Sequence, residues 1–298
     1  MNNVSFMDSG VRILFSFSCI CTIRLALAGV YREQIADILP KPILGRILSP
    51  KWLPEAKVRK LHENIFYSIW HTFSFFAVLS HVTKEAWFVE MFELRDPRHI
   101  LSGWPHFVDK DVQWTYIVEL SFWLASLTFM AVETTRKDAR ELFIHHIATI
   151  TLVSMSYLYS YFRIGFVVML IHDIGDIFLY SAKSFHYLGM KRITNVLFIS
   201  FVIAFVIFRL LVFPMVIRAA WGCATGYLNI DTDMPGCYIL PTMLSVLQLL
   251  HWMWFILIIR MLYRMAFIKN EVEGDIRSDD ETEEVAHNIP QNGGARGS

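Results

Sequence analysis

The 298-residue sequence predicts an all-α fold: a polytopic transmembrane helix bundle of about seven spans, followed by a disordered acidic C-terminal tail. Three observations carry this expectation. Residues of the set AVILMFWYC make up 55% of the chain and charged residues 18%, whereas soluble domains average about 45–50% and about 25%. Seven stretches reach the length of about 20 mostly apolar residues needed to cross about 30 Å of hydrocarbon. Lys plus Arg (27) equals Asp plus Glu (27), so the chain lacks the basic excess a general nucleic-acid binder needs, and no nucleic-acid partner is expected. The same composition excludes a disordered chain, a disulfide-rich secreted module and a collagen-like fibre.

The spans fall at roughly 11–30, 64–83, 114–133, 142–160, 164–182, 193–216 and 239–262, all helical because lipid offers the backbone no hydrogen-bond partner. The first is interrupted by Arg12 and Arg24 and competes with an interfacial or re-entrant helix; its Cys19 and Cys21 read as small packing residues. The segment before it, MNNVSFMDSGVR, lacks a basic n-region, so no cleaved signal peptide is expected. The second and last spans hold the lone histidines His71, His81 and His251, which read as packed polar groups. Glu119 and Glu133 in the third read as paired or helix-end carboxylates. Trp87, Trp104 and Trp114 fit an interfacial aromatic belt. The fourth and fifth spans are joined only around Tyr161–Arg163, which makes them antiparallel neighbours. The sixth carries Arg209 ahead of Pro214, placed either to snorkel or to pair with an aspartate. The chain thus divides into 1–63 (first span and basic linker), 64–262 (transmembrane domain) and 263–298 (tail).

Loop charge sets the orientation. Thirteen Lys and Arg fall in 32–60, 136–140 and 183–192, against seven in the alternate loops. The positive-inside rule then makes the N-terminus lumenal and the C-terminus cytosolic. The sequon at Asn3 lies on the lumenal side as a glycosylation candidate. Cys223 and Cys237 bracket a lumenal loop where either a disulfide or two thiols fit. From Lys269 onward the tail has eight acidic and three basic residues, too few apolar groups for a core, and Ser278 before Asp279-Asp280-Glu281 as an acidophilic-kinase candidate.

Ionisable groups inside spans are expensive and point to function. With His172 as origin and about 100° per residue, Asp173 falls near 100°, Asp176 near 40°, Gly165 near 20° and Tyr180 near 80°. His145, His146, Thr149 and Ser156 likewise form one stripe of the fourth span. His145 and His146 lie roughly 8–9 Å from the edge marked by Arg140, and Asp176 about 10 Å from Lys183. Three readings of this cluster compete: histidine as general base or nucleophile oriented by aspartate, a zinc or iron site, or a structural polar network. No H-E-x-x-H motif or repeated HxxHH supports the metal.

The stretch HHIATITLVSMSYLYSYFRIGFVVMLIHDIGDIFLYSAKSFHYLG, residues 145–189, resembles the signature of the ceramide synthase family of TLC-domain membrane proteins. The paired histidines, S-Y, R-x-G, H-D-x-x-D and A-K match in order and spacing, and TRKDARE before them fits too. Ser160, Tyr180 and His186 stand where members often carry Asn, Glu and Asn, and Phe66-Tyr67 stands in place of Trp and a basic residue. The resemblance implies an N-acyltransferase of the endoplasmic reticulum. Its partners would be fatty acyl-CoA as co-substrate, a sphingoid base (sphinganine or sphingosine) and membrane lipid; a homo- or hetero-dimer stays open. It implies catalytic roles for His145, His146, His172, Asp173 and Asp176, with Arg136, Lys137 and Arg140 at the cytosolic mouth to receive CoA phosphates. A thioester is already activated, so no metal and no further cofactor are expected. The alternatives are a non-catalytic TLC-type lipid-sensing or translocon-associated protein, and a metal-dependent membrane lipid hydrolase.

Overall fold

The computed structural model describes residues 6–27, 55–93, 100–101, 103–130, 138–224 and 236–267. Asn3, Arg136, Lys137 and Ser278 lie outside them, as does the side chain of Cys223, so neither the modification candidates nor the Cys223–Cys237 pairing has a described geometry. The described elements are helices: α1 (Phe6–Leu27), α2 (Glu55–Val82), α3 (Ala86–Glu93), α4 (Lys110–Met130), α5 (Ala139–Leu158), α6 (Phe162–Tyr187), α7 (Lys191–Ala204), a π-helical segment (Phe205–Val212), α8 (Phe213–Ala224) and α9 (Ile239–Phe267). α7, the π segment and α8 run on without a break and correspond to one expected span. With α1, α2, α4, α5, α6 and α9 this gives seven helices long enough to cross about 30 Å at about 1.5 Å per residue.

Among the described residues, Lys57–Val82, Lys191–Gly222 and Ile239–Arg264 also meet a simple apolarity criterion for crossing. The remaining long helices also carry buried polar groups, among them Arg24, Glu119, His146 and Asp173. α1 shows how these are accommodated. Its two arginines both contact other helices: half-buried Arg12 lies over the Trp114 ring at 4.9 Å, and buried Arg24 donates to the Tyr67 hydroxyl at 2.6 Å and to Ser126 Oγ at 3.4 Å. Satisfied cations of this kind lower the cost of a charged residue at membrane depth.

α6 is the central helix, packed against α2, α5, α7 and the π segment. The turn between α5 and α6 is as short as expected and antiparallel. Ser160 adopts a left-handed φ of 59° there, a conformation Asn tolerates better than Ser. Gly189, with φ 73°, ends α6; the Met190 N–H returns to the Phe185 carbonyl at 3.0 Å, closing the helix as a left-handed C-terminal glycine does. The π segment lies just before Pro214, which lacks the N–H a regular turn would use, and π turns of this kind cluster at functional sites.

Trp87 departs from the aromatic-belt expectation. It is 6% exposed and packed in the core, with the Arg163 guanidinium 5.3 Å from its ring. The short α3, invisible to a search for spans, folds this indole back onto the bundle.

Candidate active site

Three helices converge on α6. Asp173 is 5% exposed and faces α2, where its two oxygens take His71 Nδ1 at 2.7 Å and the Ser74 hydroxyl at 2.6 Å. Asp176, one turn on, accepts from Arg209 Nη2 of the π segment at 2.7 Å. The same Nη2 donates to the carbonyl of His172 at 2.9 Å. Asp173 and Asp176 therefore each have a partner, as burial of a charge requires.

The imidazoles are held in defined tautomers. His172 Nδ1–H donates to the Val168 carbonyl at 2.7 Å, leaving Nε2 as an acceptor. His251 of α9 lies 3.2 Å from that atom through its own Nε2, so His251 Nε2–H is the donor and its Nδ1 bears the lone pair. That Nδ1 is buried and has no hydrogen-bond partner. His146 Nδ1–H donates to the Leu142 carbonyl at 2.7 Å. His145 differs: its Nδ1 is buried and makes no hydrogen bond. Its ring is fixed by edge contacts with Trp123 at 5.7 Å and Trp254 at 5.4 Å. Thr149, one turn along α5, also buries a hydroxyl with no partner.

Two cavities meet at this point. One is polar and lies towards the end of the bundle bearing Asp138 and Lys183; His71, His146, Tyr180 and Arg209 also line it. The other is largely apolar, bounded by Leu152, Val153, Val168, Met169, Leu244 and Leu247, and reaches Ser156 and Gly165. Both are narrow, with volumes of about 80 and about 50 Å³. Trp123, His145 and Asp176 line both. The junction thus places the His145 ring, whose Nδ1 has no hydrogen-bond partner, between a charged vestibule and an apolar cleft. The division of lining, polar on one side and apolar on the other, matches a molecule with an apolar part and a polar reacting end.

The sequence expectation brought His145, His146, His172, Asp173 and Asp176 together, and the structure sets all five around these two cavities. It differs in who pairs with whom. The aspartates were expected to orient the paired histidines, yet Asp173 holds His71, and Asp176 takes Arg209, which was one of the two placements expected for that arginine. The reason is that helical spacing describes one helix at a time, and these partners come from α2 and the π segment. His71 and His251, read as lone packed groups, are parts of the site. Glu119, read as a paired or helix-end carboxylate, is buried at 4% exposure in the wall of the apolar cavity. Arg140 is exposed near the start of α5. Among the described residues no group of three His, Cys, Asp or Glu side chains is arranged to hold a metal ion.

Comparison with known proteins follows the same lines. Residues 60–260 match the model of the TLC domain family. The chain is 33% identical over 235 residues to Ceramide synthase LOH2 of Arabidopsis thaliana, covering 77% of this chain and 77% of that protein. It is 32% identical over 250 residues to mouse Ceramide synthase 4, covering 80% of this chain, and 40% identical over 191 residues to the bovine protein of that name, covering 61%. The matched region spans only 61% of the mouse and 47% of the bovine protein.

Proposed function

We propose, for a chain that belongs to the ceramide synthase family of TLC-domain proteins, that this bundle transfers a fatty acyl group from acyl-CoA to the amine of a sphingoid base. The observation that carries the reading is the position of His145 at the neck shared by the polar and apolar cavities. The apolar chamber takes a lipid chain out of water. The vestibule, with Lys183 and Arg209 in its wall, suits the anionic, water-soluble CoA, to which Arg136, Lys137 and Arg140 would add charge.

In the reaction the amine nitrogen bonds to the acyl carbonyl carbon and the carbon–sulfur bond breaks. The proton lost by the amine ends on the CoA sulfur. His145 serves as the proton acceptor, or first takes the acyl group on its imidazole and yields it to the amine. Intact-mass measurement after incubation with acyl-CoA alone separates the two routes, since only the second adds an acyl mass to the protein. His172 and His251 form a neutral hydrogen-bonded pair that keeps the α6–α9 wall in place beside the neck. Asp176, one turn on along α6, and Arg209 keep the neck charged yet balanced.

The test is direct. Microsomes carrying the full chain, supplied with a sphingoid base and a panel of acyl-CoAs, are expected to release one CoA per N-acyl product, read by mass spectrometry. Absence of any N-acyl product above microsomes lacking the chain overturns the assignment.

The same reading sets the protein in the endoplasmic reticulum membrane with its N-terminus in the lumen. Endoglycosidase treatment is then expected to shift the wild-type band on a gel, and Asn3→Gln is expected to lack that shift. A glycan-free wild type whose N-terminal tag is digested by protease in intact microsomes would reverse the topology.

A further inference from the structure

Building on the acyl-transfer reading above, we propose that Tyr116 is the stop that sets the longest acyl chain this protein accepts. The apolar cavity has His145 and Asp176 at one end, and at the other reaches Ser156 near the end of α5, Ile164 and Gly165 near the start of α6 and Leu240 in the first turn of α9. From His145 to Ser156 along α5 is about 16 Å at about 1.5 Å per residue, over half of the roughly 30 Å hydrocarbon thickness. An acyl chain whose carbonyl sits beside His145 therefore points its methyl end at this floor.

Tyr116 of α4 packs directly behind the floor and is 1% exposed. Its hydroxyl lies 3.0 Å from Ser156 Oγ and 3.0 Å from the Phe162 carbonyl. Its ring meets Phe162 edge-on at 5.0 Å and lies 5.2 Å from Phe166. Gly165 makes this arrangement sterically feasible. A Cβ there would overlap the Tyr116 hydroxyl and sit 2.6 Å from Ser156 Oγ. The glycine of the R-x-G motif is thus accounted for by the plug it admits. The α5–α6 turn beyond is covered from outside by Trp104, whose Nε1 donates to the Tyr159 carbonyl at 2.7 Å and whose ring stacks on Tyr161 at 5.8 Å. A chain too long for the cavity would have to displace a buried, hydrogen-bonded phenol.

Removing the Tyr116 ring opens space between Phe162 and Phe166 that continues the cavity. Filling the cavity one turn earlier, at Val153, does the opposite. Purified full-length protein is given a sphingoid base and a mixture of saturated acyl-CoAs from medium to very long chain, and the N-acyl products are profiled by mass spectrometry. Tyr116→Ala is expected to raise the ratio of long-chain to short-chain product by about tenfold or more, and Val153→Phe to lower it by a similar factor, the scale on which apolar pockets discriminate small changes in length. Unchanged chain profiles in variants that still turn over overturn the inference while leaving the acyltransferase assignment intact. If Tyr116→Ala does not fold, Val153→Phe and the milder Val153→Leu decide, since both add apolar volume at a site already apolar. A wild type that forms no N-acyl product at all overturns both readings, and is recognised because every chain length fails alike.

Discussion

Acyl transfer is expected to fall by about 10²–10⁴-fold when His145 is replaced by alanine, the range associated with loss of a positioned proton acceptor. The fold should survive the change. His145 Nδ1 bonds to nothing in the protein, and what the ring gives up is edge contact with Trp123 and Trp254. His146→Ala is the informative companion. It forfeits the bond to the Leu142 carbonyl, and its cost is expected to divide between stability and rate. Turnover in detergent, normalised to the protein recovered as a single species by gel filtration, measures both. Wild-type turnover in His145→Ala would remove the imidazole from the chemistry. Equal losses in the two variants, with both well folded, would make the histidines act as a pair.

The junction was legible from the sequence in part. Helical spacing put His172, Asp173 and Asp176 on one side of α6 and the paired histidines at similar depth, and the short connection read around Tyr161–Arg163 made α5 and α6 neighbours. What spacing cannot show is which helix lies opposite. His71 and His251 were hidden because neither has an acidic or basic residue three or four positions away on its own helix, and their meaning comes from Asp173 and His172 across the interface. Two departures from the family pattern also become one feature in space. Where the resemblance leads one to expect a basic residue at 67 and Glu at 180, this chain has two tyrosines with ring centroids 4.8 Å apart and nearly parallel. Tyr180 also stacks on His71 at 5.6 Å, and Tyr67 receives the Arg24 hydrogen bond. An uncharged stack with one inward arginine thus stands in place of two charges of opposite sign. Read singly, each substitution weakens the match; read as a pair, they keep the contact between α2 and α6.

The largest effect on stability is expected at Arg209 and Asp176. Their side chains are 7% and 16% exposed and their atoms 2.7 Å apart, in a bundle whose outer surface faces lipid. Removing one partner strands the other charge, which in buried pairs costs about 3–5 kcal/mol. Arg209→Met also frees the carbonyl of His172 from its donor, so it is expected to be the worse of the two single changes. Asp176→Leu leaves the guanidinium with that carbonyl alone as a strong acceptor. Replacing both groups at once removes the uncompensated charge, so the double variant is expected to recover most of what each single change loses. The coupling should be positive and well above the roughly 0.3–0.5 kcal/mol scatter of independent sites. Thermal unfolding of the four proteins in one detergent reads this cycle. Acyl transfer should stay low in all three variants, because Asp176 lines the neck beside His145 and a repacked apolar pair restores the fold without restoring the site. Additive single losses would mean that the two side chains are solvated independently, and the neck would then have to be drawn without the ion pair that now forms its wall. A double variant with wild-type turnover would go further: it would take Asp176 out of the chemistry and leave the imidazoles to act alone.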